Sequence, residues 1–289
     1  MPHPASPADH PLRLLAELGI SPRKRLGQSF LHDRNVAAKI VAIARELGPP
    51  FLEIGPGLGS LTCLLAESGE ETVAVEVDRG LAGYLRGRYA GSSVEILEAD
   101  FLAVPPSEWR RRFPRGGSVV GNLPYSISSP IVLRLMELRE IFPRAVLMLQ
   151  KELVERLCAS PGGKEYGILS VYLAVLSECR LEFPVRRTCF APSPEVDSAV
   201  LSIRFRSDVD GQTFRRLQTV VRAGFARRRK QLRNAPAGFL PGGARQWCDL
   251  LSRSGIDPSR RAETVPPETW LLLARSLPKG SKPETPPPV

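Results

Sequence analysis

Long apolar runs and recognisable export signals are missing from this chain. Its 289 residues contain no apolar run of the roughly 18 residues that a transmembrane helix requires. The first twenty residues lack the layout of a signal peptide, and the acids Asp9 and Glu17 are unfavourable in a transit peptide. We therefore expect a protein of the cytoplasm that has no association with a membrane.

Histidine and cysteine are scarce and scattered. The three histidines, His3, His10 and His32, are not expected to form a metal site or a catalytic triad, since two of them lie in a proline-rich start. The five cysteines form no C-x-x-C pair, so neither a zinc site nor a disulfide framework is indicated. Cys63 and Cys158 fall on predicted helix faces and are expected to be buried thiols. These patterns predict no bound metal and a reducing compartment.

Acidic residues are outnumbered by basic ones, which gives a net charge of +10 and a pI near 9.8. Such a balance favours a polyanionic partner. A single charge run is usually a solvated face, but here five separate clusters flank the motifs described below and favour RNA binding. They are Arg23-Lys24-Arg25, Arg110-Arg111-Arg112, Arg186-Arg187, Arg227-Arg228-Arg229-Lys230 and Arg260-Arg261.

A glycine-rich loop follows a short apolar run at residues 51–54 and precedes a predicted helix at 61–67. Its sequence is Glu53-Ile54-Gly55-Pro56-Gly57-Leu58-Gly59-Ser60. A strand, a glycine loop and a helix in this order form the ligand crevice of Rossmann-type sheets. The G-x-G-x-G spacing differs from that of dinucleotide enzymes, and Pro56 lacks an N–H that a pyrophosphate would need. The loop therefore fits S-adenosylmethionine, although on its own it is equally compatible with a plain strand–turn–helix.

Acids also end the next two predicted strands. Glu76 closes the run at residues 72–78 and is expected to accept hydrogen bonds from a ribose diol. Asp78 is expected to cap the following helix. Asp100, at the end of the run 94–100, is placed to accept from an adenine amine, with Phe101 covering the ring, although Asp100 could instead only cap a turn.

A fourth predicted strand, at residues 117–121, leads into Asn122-Leu123-Pro124-Tyr125. The exocyclic amine of adenine is a poor nucleophile because its lone pair is delocalised into the ring. The side-chain oxygen of Asn122 and the carbonyl of Leu123 could hold the two amine hydrogens, while Tyr125 provides a face for the base and Pro124 fixes the turn. Catalysis would then consist of orientation and electrostatic preorganisation. A chance tetrad of this kind is usually a simple turn, but its place after the fourth strand argues for the catalytic interpretation.

Together these motifs resemble the KsgA/RsmA family of small-subunit ribosomal RNA adenine dimethyltransferases over about residues 22–270. Besides the glycine loop and the tetrad, which continues as Ser126-Ile127-Ser128, five further segments carry the resemblance. They are Arg23-Lys24-Arg25-Leu26-Gly27-Gln28-Ser29-Phe30-Leu31, Met148-Leu149-Gln150-Lys151-Glu152, Gly163-Lys164-Glu165-Tyr166-Gly167, Phe190-Ala191-Pro192-Ser193-Pro194-Glu195-Val196-Asp197-Ser198-Ala199, and Gly255-Ile256-Asp257-Pro258 with Arg261-Ala262-Glu263.

The resemblance implies a set of donor contacts and places Phe190 against the target adenine, opposite Tyr125. The candidate donor-binding residues are Gln28, Ser29, Leu31, Gly55, Gly57, Glu76, Asp100, Phe101 and Asn122. Ser29 departs from the family, which usually has Asn there, and its shorter side chain puts that contact in doubt. Leu26, in place of the usual aromatic residue, is interpreted as a tolerated packing change.

The predicted fold class is α/β, a class I (Rossmann-like) methyltransferase sheet with a small helical C-terminal domain. We expect a flexible leader at 1–21 with one or two helical turns at 12–18, and a methyltransferase domain at 22–207. That domain should include a helix at 35–47 capped by Asp33 and end in an antiparallel hairpin between 185 and 205. Helices at 213–227, 245–254 and 267–276 should form an RNA-recognition domain at 208–277, followed by a disordered tail at 278–289.

The function implied is S-adenosylmethionine-dependent dimethylation of two adjacent adenosines in the 3′-terminal hairpin of small-subunit RNA, on a pre-ribosomal particle, by a monomer. One alternative is a resistance-type enzyme that modifies a large-subunit adenosine, against which the segments 164–167 and 255–263 argue. Another is an RNA- or transcription-binding protein on a methyltransferase fold that has lost its activity. Such a protein is expected to lose the tetrad or the ribose acid, and this chain retains both.

Overall fold

The computed structural model describes residues 10–21, 27–227, 229–238 and 240–277. These residues form two compact units. The first consists of the described residues up to Val154 together with Arg180–Phe205, and the second of Glu155–Cys179 together with the described residues from Arg206 onward. The basic cluster at 23–25, Leu26, Arg228, the first nine residues of the predicted leader and the predicted tail at 278–289 lie outside the described residues.

The first unit is built on a mixed seven-stranded sheet. The strands of the chain are β1(Phe30–Leu31), β2(Phe51–Ile54), β3(Thr72–Glu76), β4(Val94–Glu98), β5(Ser118–Asn122), β6(Arg144–Gln150), β7(Ser177–Val185), β8(Phe190–Ala191) and β9(Ser198–Phe205). The order in the sheet is β4-β3-β2-β5-β6-β9-β7. Strands β2, β3, β4, β5 and β6 are mutually parallel, and β9 runs antiparallel to β6. The predicted class I methyltransferase sheet is confirmed.

Helices cover the central parallel strands β2, β3, β5 and β6, which are buried along almost their whole length. In this unit they are α1(Pro11–Glu17), α2(Arg34–Leu47), α3(Thr62–Glu67), α4(Arg79–Arg88), α5(Pro106–Arg112) and α6(Ser128–Glu137). Helix α2 shows why the sequence forms a helix at this point. Asp33 accepts hydrogen bonds from the N–H groups of Asn35 and Val36, as predicted, and the buried residues follow helical spacing.

Chain order reverses at the centre of the sheet. From β2 the chain passes to β3 on one side, and later to β5 on the other side of β2. At such a reversal the flanking loops diverge and leave a crevice beyond the carboxyl ends of the strands. The glycine loop, Glu76 and the Asn122 tetrad all follow the carboxyl ends of these central strands, so the topology brings them to one edge.

Two predicted strand features need correction. The segment 185–205 does not form one hairpin, because the short strand β8 leaves the main sheet and pairs antiparallel with β1, placing Leu31 opposite Phe190. The partner of β6 at the end of the sheet is β9, and the edge strand β7 begins earlier, at Ser177. Strand β4 also ends at Glu98, because Asp100 accepts a hydrogen bond from the N–H of Leu102 and begins a turn.

The second unit is helical. Its elements are α8(Ile168–Leu176), α9(Gly211–Phe225), α10(Gly243–Arg253) and α11(Pro267–Arg275), and α7(Lys151–Leu157) spans the division between the units. The predicted boundary at 207/208 places α8 in the catalytic domain, whereas α8 belongs to the second unit. The reason is its packing: Tyr172 of α8 meets Phe214 of α9 edge to face, with ring centroids 5.6 Å apart. Gly224 of α9 allows close approach to Trp270 of α11, since a Cβ there would lie 2.3 Å from the indole.

The cysteine expectations are half right. Cys63 is buried in α3, but Cys158 is exposed and lies just beyond the end of α7 rather than on its inner face. Within the described part of the chain, no helix is long and apolar enough to cross a membrane, and no three His, Cys, Asp or Glu residues cluster as a metal site would require.

Candidate active site at the carboxyl edge of the sheet

A deep cleft opens at the carboxyl ends of β2, β3 and β5. Its volume, including the open mouth, is about 1120 Å³. The sequence-derived site residues all line it. They are Gln28, Ser29, Leu31, Gly55, Gly57, Glu76, Asp100, Phe101, Asn122, Leu123, Pro124, Tyr125 and Phe190. One cleft therefore brings together every residue assigned to donor binding or catalysis.

The glycine loop forms one wall of the cleft. Gly55, Gly57 and Gly59 have φ angles of +66°, +60° and +85°, a left-handed region that other residues rarely adopt. At Gly57 a Cβ would also approach the Phe30 ring to 3.1 Å. The loop thus needs glycine for its backbone shape and for the closeness of β1. At Gly55 and Gly57 it presents main chain to whatever occupies the cleft.

Glu76 is 5% exposed and lines the cleft from the end of β3. One carboxylate oxygen accepts from the Gly57 N–H at 3.1 Å, and the other accepts from the Asp78 N–H at 2.8 Å. Burial raises the pKa of Glu76, and these two backbone hydrogen bonds oppose the rise. Asp78 caps α4 by accepting from the Gly80 and Leu81 N–H groups, as the sequence predicts. The structure therefore separates a cleft-lining acid from a capping acid two residues later.

The third acid, Asp100, lies at the cleft, and one of its carboxylate oxygens accepts from the Leu102 N–H at 2.9 Å. Its neighbour Phe101 lines the cleft but is 4% exposed and packs on Trp109, with ring centroids 5.7 Å apart. Val77, which the sequence reasoning missed, lines the same wall and is 51% exposed. An exposed apolar side chain between two acids is the signal that could have identified it, and it offers a planar ring an apolar surface.

The tetrad follows β5 with each residue fixed by its neighbours. The Asn122 amide donates to the backbone carbonyl of Ser29 at 3.2 Å, and the Leu123 N–H donates to the Met148 carbonyl at 3.1 Å. The Tyr125 hydroxyl forms a 2.7 Å hydrogen bond with the Ser198 hydroxyl. Asn122 therefore keeps its side-chain oxygen for another donor, and the half-buried Tyr125 ring is held in place by its hydroxyl.

Pro124 completes the turn. Its carbonyl accepts from the Ser128 hydroxyl at 2.8 Å and from the Ile127 N–H at 3.2 Å, which joins the tetrad to the start of α6. A proline at this position also fixes its own φ and needs no hydrogen-bond acceptor for its nitrogen. The tetrad is consequently a rigid platform rather than a loose connection.

Ser29 and Phe190 occupy the opposite wall. The Ser29 hydroxyl donates to the Pro192 carbonyl at 2.6 Å, so it fastens the β1 segment to the chain after β8. Phe190 lines the cleft but is only 3% exposed, and it belongs to a core cluster that includes Leu31 and Val185. Both residues therefore have structural roles at the cleft wall, and the predicted contacts with donor and adenine remain proposals.

Glu53 is a buried acid that the sequence reasoning treated only as part of the loop. It is 1% exposed, lines the cleft and accepts a 2.7 Å hydrogen bond from the Thr62 hydroxyl of α3. Burial raises its pKa from 4.5 to about 7, the Thr62 hydrogen bond lowers it, and the negative charge of Glu76 raises it further. The position of this acid inside an otherwise apolar strand is the sequence feature that indicates a functional role for Glu53. The cleft thus contains two neighbouring carboxyl groups that favour positively charged occupants.

The basic clusters differ in whether their cations form ion pairs with carboxylates. Arg110, Arg111 and Arg112 are paired with carboxylates. The ion pairs are Arg110–Glu140 at 2.9 Å, Arg111–Glu108 at 2.7 Å, and Arg112 with Glu95 at 2.5 Å and Glu108 at 2.7 Å. In the second unit, Arg227, Arg229 and Lys230 line a separate concave surface with Asn234, and no carboxylate of the described residues pairs with these three cations. The cluster at 110–112 is therefore largely neutralised, which removes it as support for RNA binding.

Comparison with known proteins gives consistent matches. Residues 19–279 match the family model of ribosomal RNA adenine dimethylases. The chain is 45% identical over 268 residues to ribosomal RNA small subunit methyltransferase A of Geobacter sulfurreducens, covering 90% of this chain and 96% of that protein. The protein of the same name from Magnetococcus marinus is 39% identical over 267 residues, with coverages of 91% and 94%.

Solved structures agree in fold. A dimethyladenosine transferase from Plasmodium falciparum aligns with a TM-score of 0.71 and 25% identity, covering 84% of this chain and 95% of that chain. The 23S rRNA methyltransferase ErmE aligns with a TM-score of 0.63 and 31% identity, with coverages of 85% and 98%. The similarity therefore extends over nearly the whole length of each of these proteins.

Proposed function

The chain belongs to the ribosomal RNA adenine dimethylase family, and from this premise we propose the reaction that its site performs: dimethylation of the 6-amino groups of two adjacent adenosines in the 3′-terminal hairpin of small-subunit RNA. As a member of that family it is an rRNA adenine dimethyltransferase that uses S-adenosylmethionine. The observation that carries the proposal is the presence of Asn122 and Tyr125 in the same cleft as the glycine loop and Glu76.

The cleft fits the methyl donor in its polar and apolar parts. The Glu76 carboxylate can accept from the ribose hydroxyls, and the main chain at Gly55 and Gly57 leaves room for close approach. Val77 and Phe101 provide apolar surface for the adenine, and Asp100 lies nearby to accept from its amine. When bound, the donor supplies an electrophilic methyl group on a positively charged sulfur. The Glu76 carboxylate favours that charge, and Glu53, whose pKa is raised to about 7, adds negative charge only when it is ionised.

The tetrad prepares the nucleophile. Because Ser29 holds the amide nitrogen of Asn122, the side-chain oxygen can accept one hydrogen of the target amine. The Leu123 carbonyl accepts the other. Holding both hydrogens directs the nitrogen lone pair out of the ring plane and towards the methyl group, so orientation supplies most of the catalysis and no general base acts first. Tyr125 and Phe190 are proposed to stack on the two faces of the extruded base.

The choice of RNA rests on the second unit. The two segments that the sequence singled out as unlike resistance-type enzymes, 164–167 and 255–263, lie close together there, because each is hydrogen-bonded to a residue two positions from the end of the other. The Gly162 N–H donates to the Glu263 carbonyl at 2.7 Å, and the Tyr166 hydroxyl donates to the Val265 carbonyl at 2.9 Å. The second unit also contains the basic surface of Arg227, Arg229 and Lys230. We assign the two segments and this surface to recognition of small-subunit RNA.

A large-subunit adenosine is the competing substrate, because ErmE, a 23S rRNA methyltransferase, has the same fold. We assign the chain to small-subunit RNA because its curated relatives of 39–45% identity carry that name. We further propose that the protein acts as a monomer, in the cytoplasm, on a pre-ribosomal particle.

Mass spectrometry of ribosomal RNA from a strain lacking the gene tests the proposal. We expect dimethyladenosine to disappear from the small-subunit hairpin and to return with the wild-type gene but not with Asn122→Ala. Arg110→Gln, a change outside the cleft lining and on the neutralised cluster, should restore the modification and serves as the matched control. Loss of a large-subunit modification instead would overturn the assignment of substrate.

The alternative is an RNA- or transcription-binding protein that keeps the methyltransferase fold but has lost its catalytic activity. Calorimetric titration of the purified protein with S-adenosylmethionine separates the two. We expect saturable binding by the wild-type protein that is weakened in Glu76→Ala. Absence of binding by the wild-type protein would favour a binding module that has lost its activity.

A further inference from the structure

Two cysteines that are distant in the sequence meet in the second unit. The sulfur of Cys158 lies 3.7 Å from the sulfur of Cys179, and the two residues are 21 positions apart in the chain. Cys158 is exposed and Cys179 is partly exposed. The contact is a thiol pair that solvent can reach, unlike the buried Cys63.

The backbone on both sides of this pair is anchored. Near Cys158, the Ser170 hydroxyl donates to the carbonyl of Arg156 at 2.6 Å and accepts from the Gly167 N–H at 3.0 Å. Near Cys179, the Ser177 hydroxyl donates to the Leu173 carbonyl at 2.7 Å at the end of α8. Since each thiol lies two residues from an anchored position, the short distance between the sulfurs is a property of the local fold rather than of two loose ends.

We infer that Cys158 and Cys179 form a redox-active dithiol, which a low-molecular-weight disulfide converts into an intramolecular disulfide bond. Such a pair needs only a small approach of the two sulfurs to reach bonding distance. In a reducing compartment, disulfides of this kind are transient and serve redox sensing or catalysis rather than permanent structure.

The two thiols also differ in acidity. The contact between the two sulfurs lowers the pKa of the Cys179 thiol and raises the pKa of the Cys158 thiol. Cys179 is therefore the more acidic of the two thiols, and its thiolate is the nucleophile of thiol–disulfide exchange. Cys158 remains protonated and exposed, as a resolving thiol should be.

The exchange balances in two steps. The Cys179 thiolate attacks one sulfur of the external disulfide, forms a mixed disulfide and expels a thiolate. Cys158 then loses its proton to solvent and attacks the Cys179 sulfur, which expels the second thiolate. The two protein thiols lose two electrons and two protons in all, and the external disulfide is reduced to two thiols.

The product would close a loop that contains α8 and the segment 163–167. Tyr166 of this segment donates to the Val265 carbonyl, and Gly162, just before the segment, donates to the Glu263 carbonyl. A cross-link across 21 positions removes conformational freedom from the unfolded chain. We therefore expect the oxidised protein to resist unfolding better than the reduced protein, with a rise in melting temperature of roughly 5–10 °C.

The test uses the full-length protein incubated with glutathione disulfide, after which the remaining thiols are blocked with N-ethylmaleimide and the digest is analysed by mass spectrometry. We expect one dominant cross-linked peptide pair joining Cys158 to Cys179, together with the rise in melting temperature, and reversal of both by dithiothreitol. Cys248→Ser, which changes a partly exposed thiol on α10 of the same unit, should retain both effects.

Cys158→Ser should lose the cross-link and show only a glutathione adduct at Cys179, with no change in melting temperature on oxidation. Because Cys158 is exposed, this variant should fold. A wild-type digest that contains only glutathione adducts, or cross-links spread over several cysteines, would overturn the inference. So would an equal melting shift in the Cys158→Ser protein.

Discussion

The side-chain amide of Asn122 donates a hydrogen bond to the backbone carbonyl of Ser29 at 3.2 Å. This bond links the tetrad after β5 to the segment before β1, although 93 positions separate the two residues. An asparagine amide has one donating and one accepting end, so fixing the nitrogen leaves the oxygen to accept. The orientation that catalysis requires is therefore built into the free protein and does not wait for the substrate.

Asn122→Ala should consequently lose methyl transfer by about 100-fold or more, the range seen when one preorganised polar group is removed from an active site. Stability should fall by only about 1 kcal/mol, the value of a typical hydrogen bond. Methyl incorporation into small ribosomal subunits and thermal melting of the same preparations measure both. Ser29→Ala should lose much less, because the carbonyl that holds Asn122 belongs to the backbone. Equal losses of rate in the two variants would contradict this account.

Substitutions at Glu76 and Asp78 should affect different properties, the first donor binding and the second the stability of the fold. Glu76→Ala removes the ribose acceptor and should weaken S-adenosylmethionine binding by one to two orders of magnitude, roughly 1.5–3 kcal/mol. Glu76→Gln keeps one oxygen acceptor and should be intermediate. Asp78→Ala removes the cap of α4 and should cost about 1 kcal/mol of stability while donor affinity is kept. Titration calorimetry and denaturant unfolding check the pair, and unchanged donor affinity in Glu76→Ala would refute the assignment of the crevice.

Glu53 should make stability depend on pH. Burial raises its pKa from 4.5 to about 7 in the folded protein, so between these values the folded state binds more protons than the unfolded state. Its stabilising contribution is therefore complete below about pH 4.5 and is lost as the pH rises to about 7, by an amount on the order of 3 kcal/mol.

Glu53→Gln cannot ionise and should lack this loss. Its free energy of unfolding relative to wild type should increase from pH 5 to pH 8. Denaturant unfolding at several pH values provides the measurement, with Glu98→Gln, an exposed acid at the end of β4, as the control. Parallel pH profiles for wild type and Glu53→Gln would show that Glu53 does not titrate in this range.

The glycine loop, the acid-ended strands and the tetrad could be predicted because their chemistry is local in the sequence. Three glycines in a five-residue stretch specify backbone shape, and parallel strands bring their carboxyl ends to one edge whatever the details of packing. The capping role of Asp78 was equally local, since a cap contacts only the next helical turn.

Pairings between distant segments could not be predicted. The hydrogen bond from Ser29 to Pro192 and the strand pair β1–β8 produce no periodic pattern in the sequence. Each joins short segments that are far apart in the chain and meet only after folding. The meeting of Cys158 with Cys179 belongs to the same class. The assignment of α8 to the catalytic domain failed for this reason too, since its partner is a helix that follows much later in the chain.

The surface of Arg227, Arg229 and Lys230 should bind RNA through phosphates. The double variant Arg229→Gln/Lys230→Gln removes two charges that no described carboxylate pairs, and it should reduce the slope of log affinity against log salt by roughly 1.5. Arg110→Gln/Arg111→Gln removes two charges that are already paired, so its slope should match wild type. Filter binding to small ribosomal subunits at several salt concentrations makes the comparison, and equal slopes for the two double variants would mean that only net charge matters.

Phe190 requires a substitution that separates stacking from packing. Its ring is buried in the core cluster with Leu31, so Phe190→Ala should cost about 3–5 kcal/mol by leaving a cavity, and activity would fall with the fold. Phe190→Leu keeps most of the volume and removes the aromatic face. It should fold, bind S-adenosylmethionine normally and lose about 5- to 100-fold in methyl transfer, since stacking contributes about 1–3 kcal/mol per base.

Phe183→Leu is the matched control, because Phe183 packs against the same cluster without lining the cleft. It should show the same small loss of melting temperature with near-normal turnover. Tyr125→Phe should retain activity better than Tyr125→Leu, because the hydroxyl only fixes the ring through Ser198. Melting temperature, donor affinity and methyl incorporation measured on the same preparations decide the matter. If Phe190→Leu turned over as fast as Phe183→Leu, Phe190 would be a core residue of the cleft wall and the adenine would rest on Tyr125 alone.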